Sequence, residues 1–168
     1  EGTIGFDPWL HTLSEIEGYS KALDSSGITL SPCENLIDLI WPDQPDAPMA
    51  NAFAYEEKYA GKTHLQKRQD IARVLKDAGQ DAAVITLPDS LAWLLNMRGG
   101  DVSHVPIAHG FVILHSDARV DLFMAAEKLT KLKDHLGPDI RVHAQDSFAK
   151  HLAALTGVVR VDPDNVPM

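Results

Sequence analysis

The sequence predicts an α/β fold, a mixed β-sheet with helices on its faces, and three observations carry that expectation. Ala82 to Leu87 is a near-continuous apolar run of strand length, as suits a strand covered on both faces. Gly110 to His115 and Arg119 to Phe123 are apolar strands joined by Ser116-Asp117-Ala118, which reads as a β-hairpin and brings in antiparallel pairing. Helical periodicity alternates with these strands along the rest of the chain, the pattern of helices packed on a sheet.

Each element has its own signal. Ile4-Gly5-Phe6 reads as a strand stopped by Asp7-Pro8, because proline cannot donate to a ladder. A helix follows, with Leu13, Ile16, Tyr19, Ala22 and Leu23 at three- and four-residue steps and Thr12 and Glu15 spaced as a capping box; Gly27 stops it. Ile28 to Leu30 is a second short strand, and Glu34 to Trp41 suits a brief helix. Prolines at 42, 45 and 48 then make an extended connector as far as Tyr59. From Thr63 to Ala78 a helix is expected, with Leu65, Ile71, Val74, Leu75 and Ala78 on the buried face and Lys67, Arg68, Asp70 and Lys76 in solvent. Pro88-Asp89-Ser90 opens a short apolar helix in which Trp93 reads as core packing. Beyond the hairpin, one helix is expected from Ala125 to Leu136, a strand from Ile140 to His143, a helix capped by Ser147 as far as Leu155, and a last strand from Val158 to Val161.

The 168 residues amount to about one domain, or one core plus a piece of another. Residues 1–48 are expected to form the closing part of a first domain with its proline-rich connector, and 49–168 a second domain. Ile4-Gly5-Phe6-Asp7-Pro8 and Val159-Arg160-Val161-Asp162-Pro163 echo each other as strands ending in Asp-Pro. Twenty-four acidic against fifteen basic residues give a net charge of −9, which argues against nucleic acid or an acidic membrane as partner. Cys33 stands alone, without an intrachain disulfide or a cysteine zinc site, which fits a reducing compartment. With no long apolar run and no leader-like start, the expectation is a cytoplasmic protein without a membrane span. A start without Met and a stop just after a strand suggest a piece of something longer.

The richest constellation is the loop Asn96 to His109, whose length between two apolar elements is uncommon without a task. Arg98, Asp101 and His104 surround the flexible pair Gly99-Gly100, a set able to grip a peptide terminus. Equally open is the plainer reading in which Arg98 pairs with Asp101 and the glycines only allow the turn. His104, His109 and His115 match no metal-binding spacing, and no serine elbow or phosphate loop is present. Trp41, ahead of the prolines, reads as packing or as a docking anchor between domains.

Asn35-Leu36-Ile37-Asp38-Leu39-Ile40-Trp41, then Pro45 and Pro48, then Thr86-Leu87-Pro88-Asp89-Ser90-Leu91-Ala92-Trp93-Leu94-Leu95-Asn96-Met97-Arg98-Gly99-Gly100-Asp101, form a pattern that spans most of the chain. It resembles the non-catalytic, creatinase/prolidase-like N-terminal region of three-domain Xaa-Pro aminopeptidases (aminopeptidase P). The resemblance implies a parent hydrolase that removes the N-terminal residue from peptides with proline second. It implies two divalent metal ions, usually manganese, held in a C-terminal pita-bread domain, and a homodimeric parent. No catalytic residue and no metal ligand is carried over to this chain, which is expected to be inactive alone. Its expected roles are packing on the catalytic domain and walling the entrance for short Xaa-Pro peptides, with Arg98, Asp101 and His104 in the wall. Gly100 departs from the small polar residue often found there. The rival expectation is a stand-alone binding or scaffold module.

Overall fold

A computed structural model describes residues 1–168, in two compact units: Glu1–Ala47 with Asp162–Met168, and Pro48–Val161. The segment 162–168, expected with the second domain, is thus grouped with the first.

In the first unit, β1 (Gly2–Phe6) lies parallel to β2 (Ile28–Pro32), with Gly2 opposite Ile28 and Phe6 opposite Pro32. The crossover is α1 (Leu13–Ala22), and its N-terminus carries the expected box: the Glu15 N–H donates to Thr12 Oγ1 (3.3 Å) and the Thr12 N–H to Glu15 Oε2 (2.9 Å). Gly27, at φ +73°, makes the turn into β2. The tail returns here, where Thr12 bridges Pro167 and the Ser14 N–H donates to the Pro163 carbonyl. The two Asp-Pro corners share one local bond: Asp7 Oδ1 accepts from the Trp9 N–H and Asp162 Oδ1 from the Asp164 N–H. Only Phe6 and Ile16 are buried in this unit. The short helix α2 (Leu36–Ile40), capped by Asn35 through the Ile37 N–H, exposes all of its apolar side chains.

The second unit is a five-stranded mixed sheet. β4 (Ala82–Ile85) pairs antiparallel with β6 (Phe111–His115) and parallel with β9 (Val159–Arg160); β7 (Val120–Phe123) completes the hairpin with β6, and β8 (Ile140–His143) runs parallel to β7. The spatial order is β8-β7-β6-β4-β9. The hairpin turn places Ala118 at φ +70°. At the β4–β9 seam Asp81 Oδ2 accepts from the Val158 N–H, and Gly157 packs so closely that a Cβ there would meet Asp81 Oδ2 at 2.1 Å.

One face of the sheet, through Val112, Leu114, Val120 and Leu122, packs on Leu75 of α4 (His64–Asp77) and on Leu91 and Leu94 of α5 (Pro88–Leu94). On the other face Phe111 and Phe123 close on Phe148 at the start of α7 (Phe148–Ala153). That face also carries a polar clasp. Asp121 of β7 accepts from His115 Nε2 of β6 and His143 Nε2 of β8, each at 2.7 Å, so one carboxylate ties three strands. Burial pushes its carboxyl up, but the two imidazole hydrogen bonds and their charges outweigh this and hold it below the usual carboxylate range.

Several expectations are corrected. On α4 the face is rotated: Lys67 and Arg68 are only 4% and 2% exposed, whereas Leu65 and Val74 are 41% and 51% exposed. The buried stripe runs 68, 72, 75, and the two cations bury their stems because their heads find acceptors, the Trp93 carbonyl and Asn96 Oδ1 for Lys67 and the Ala118 carbonyl for Arg68. Trp93, expected in the core, is half exposed and faces the Lys67 ammonium, 4.6 Å from the ring centroid. The stretch 125–136 is a 3₁₀ turn at Ala126–Leu129 and one turn of helix, α6 (Lys133–Leu136). Its inward leucines 129 and 132 are three apart, which suits the tighter winding. Ser147 does not cap α7, since its hydroxyl donates backward to the Ala144 carbonyl. The connector holds two short elements with no sequence signal, β3 (Phe53–Ala54) and α3 (Glu57–Ala60).

The rotated helix face gives a direct check. Leu75→Ala is expected to cost about 2–5 kcal/mol in urea unfolding of the chain, whereas Val74→Ala, one residue away, is expected to cost about 0.5 kcal/mol or less.

Candidate functional site

The loop that leaves α5 is built from its first residue. Asn96 takes φ +47°, an αL position that asparagine tolerates better than most residues, and so ends the helix. It is buried, and each of its polar groups has work: Nδ2 donates to the Lys62 carbonyl (2.8 Å), Oδ1 accepts from Lys67 Nζ (2.7 Å), and its carbonyl accepts the Tyr55 N–H (2.7 Å). This corner fixes the strand that follows, β5 (Met97–Arg98), against β3, with Phe53 opposite Arg98 and Ala54 opposite Met97.

Arg98 and Asp101 do not pair. The Arg98 guanidinium lies over the Tyr55 ring, 4.1 Å from its centroid, and Nη1 donates to the carbonyls of Met97 (2.8 Å) and Ala92 (3.2 Å). Asp101 turns inward. Its Oδ2 accepts from Lys128 Nζ and from the His109 N–H (2.7 Å), and Oδ1 accepts from the Ala50 N–H (3.2 Å). Both side chains of the ion pair are almost wholly buried, at 3% and 0% exposure. Burial raises the Asp101 carboxyl, but the Lys128 hydrogen bond, the His109 N–H, the Lys128 charge and the Ala50 N–H together hold it below its ordinary value.

Gly99 is needed for close approach rather than for flexibility. A Cβ there would meet the Ala108 Cβ at 2.6 Å and the Ile107 carbonyl oxygen at 2.8 Å, where the returning arm of the loop crosses it. His104 sits at the tip, between the bridged residues Val102 and Val105, at φ +64° and exposed. The three residues singled out from the sequence therefore have separate placements: Arg98 on a ribbon face, Asp101 inside, and His104 at the tip. Sequence reasoning missed Tyr55, Asn96 and Lys128. Lys128 lies in a stretch that reads as an ordinary charged helix, and no spacing signals that its ammonium turns inward. No group of three histidine, cysteine, aspartate or glutamate side chains is arranged to hold a metal ion.

Removing the Asp101 charge would leave the Lys128 ammonium buried without its counter-ion. Asp101→Asn is expected to cost about 3 kcal/mol or more at neutral pH. Because the native carboxyl sits below its ordinary value, its contribution is complete above that value and is lost as the pH falls through the depressed one. Urea unfolding from neutral to acid pH should therefore show a flatter acid limb in the variant than in the wild-type chain.

Comparison with known proteins places this geometry in a family. Residues 43–168 match the Creatinase/Prolidase N-terminal domain. The chain is 32% identical over 162 residues to a protein of Aspergillus niger named "Probable Xaa-Pro aminopeptidase P", covering 95% of this chain and 26% of that protein. A protein of the same name from Talaromyces marneffei is 31% identical over 169 residues, covering 99% of this chain and 26% of its own length. The chain thus spans about a quarter of the length of these curated relatives. Among solved structures it is similar to X-prolyl aminopeptidase of Caenorhabditis elegans, described as a cytosolic enzyme with a di-nuclear active site. The TM-score is 0.85 at 27% identity, over 98% of this chain and 28% of that one. No helix is long and apolar enough to cross a membrane. On the family match over three quarters of its length, the chain belongs to the Creatinase/Prolidase N-terminal domain family.

Proposed function

We propose that this chain is the non-catalytic N-terminal and middle region of a metal-dependent Xaa-Pro aminopeptidase, a cytoplasmic hydrolase that removes the first residue from peptides with proline second. The observation that carries the reading is the match of nearly the whole chain to about a quarter of relatives bearing that name. In this reading residues 1–48 close a first domain, 49–168 form a second, and the catalytic domain is a further, pita-bread part of the parent. The two divalent metal ions, manganese in the expected form, belong to that part. The residues here do not fit a metal centre, since Asp101 is committed to Lys128 and no cluster of suitable ligands exists. Two-metal hydrolysis needs bridging carboxylates and an activated water, so this chain alone is inactive. The parent is proposed to be a homodimer.

Within the parent, the region packs on the catalytic domain and its 96–109 loop walls the entrance for short peptides. A wall must hold its shape, and the buried Asp101–Lys128 pair and the Gly99 crossing supply stiffness while leaving His104 at an exposed tip.

Two assays test this. Cleavage of an Xaa-Pro peptide with added Mn²⁺ is expected from a longer protein that continues past Met168 and not from the 168-residue chain. Activity in the short chain would overturn the non-catalytic role, and silence in both would favour a binding module. In the longer enzyme, Arg98→Ala and His104→Ala are expected to change the ratio of kcat/KM between long and short Xaa-Pro substrates; an unchanged ratio would remove the gating role.

A further inference from the structure

We propose that the outer face of the β3–β5 ribbon is a carboxylate receptor, with Arg98 as the binding group and Phe53 and Tyr55 as its walls, and that it takes the C-terminal carboxylate of a short peptide. The choice of a peptide as ligand rests on the reading given under Proposed function.

The ribbon sorts its side chains by strand alternation. Phe53 and Arg98 are cross-strand partners and project to one face, and Tyr55, two residues on, projects with Phe53. Ala52 and Met97 project to the other face and are fully buried. The outward face is therefore a guanidinium stacked on Tyr55, with Phe53 as its cross-strand neighbour, extended by Tyr59, whose ring lies 5.8 Å from that of Tyr55. An aromatic floor of this kind also suits the flat apolar ring of a proline residue.

The guanidinium is held but not neutralised. The Tyr55 ring takes one of its faces, and the Met97 and Ala92 carbonyls take Nη1. Nε and Nη2 have no protein acceptor, and no carboxylate lies within ion-pairing distance. Asp101, the acid nearest in sequence, is spent on Lys128. A second cation nearby is also without a counter-ion: Lys67 bonds only a carbonyl and an amide oxygen, and burial followed by the Arg98 charge lowers its pKa. A chain of net charge −9 thus keeps two uncompensated cations at one corner. Arginine is always charged and its planar fork matches a carboxylate bidentately. Because stacking and the two carbonyl bonds already fix this side chain, little conformational entropy remains to be lost when an anion arrives.

The test uses the isotope-labelled 168-residue chain and follows the Arg98 Nε–Hε and Tyr55 amide resonances. Ala-Pro-Gly with a free C-terminus is expected to shift both saturably, and its C-terminal amide to bind at least about ten-fold more weakly. Arg98→Gln should abolish the difference between acid and amide, and Arg98→Lys should keep part of it. Equal affinity for acid and amide, unchanged binding in Arg98→Gln, or no binding would overturn the receptor. Acetate as tight as the tripeptide would also overturn the peptide ligand, marking a docking point for any carboxylate, such as an acidic side chain elsewhere in the parent. Should the longer protein fail to cleave Xaa-Pro peptides while Ala-Pro-Gly still binds here, the peptidase reading falls and the receptor stands. Cleavage without binding here has the reverse meaning.

Discussion

The buried Lys128–Asp101 pair is the constraint on which the course of the 96–109 loop depends. Three groups converge on one carboxylate: an ammonium from the 3₁₀ turn, the His109 N–H, and the Ala50 N–H, with the pair sealed from water. Fourteen residues of loop are in this way fastened at a single interior point. An isolated charge would be intolerable there, so the cation and the anion must be buried together. The loop therefore has a defined course despite its irregular backbone, and the ribbon beside it presents Arg98 in a fixed pose.

Polar burial recurs on α4 and along the sheet. Lys67 and Arg68 thread their apolar stems through the core face, Lys67 ending on a carbonyl and an amide oxygen and Arg68 on a carbonyl with Asp139 3.9 Å away, while Asp121 gathers His115 and His143. Each arrangement joins elements distant in sequence by directional bonds in surroundings of low polarity, where such bonds are strong and their loss expensive. Apolar packing by Leu75, Leu114 and Leu122 supplies most of the cohesion, and these polar joints specify which loop goes where.

Local rules made much of the architecture legible in advance. The Thr12 and Glu15 capping box, the strand at Ala82, the hairpin through Asp117 and the helix opened by Pro88 each depend on neighbours within a few residues. The misreadings share a cause. Lys67, Arg68 and Lys128 look solvent-facing because charge is normally a surface signal, and only tertiary acceptors 20 to 50 residues away reverse it. Trp93 looks like core for the converse reason. At the candidate site the sequence marked the loop and Arg98, but Tyr55 reaches that guanidinium through a two-residue ribbon too short to leave a pattern. Asp101, marked with Arg98 in the sequence, is bonded inward to Lys128.

The β4–β9 seam bears on how this unit is assembled. Hairpin β6–β7 closes over a handful of residues and β8 joins it soon after, so those contacts form at small loop-closure cost. Ala82 and Val159 are 77 positions apart, and their pairing amounts to two residues, the bonds that Val158 makes with Asp81 and Ala82, and a glycine whose Cβ would press on Asp81. Such a high-contact-order junction repays its closure only when the intervening sheet and helices are already in place. β9 is then the latch of the unit, a strand whose docking holds only when the sheet and helices between it and β4 are in place.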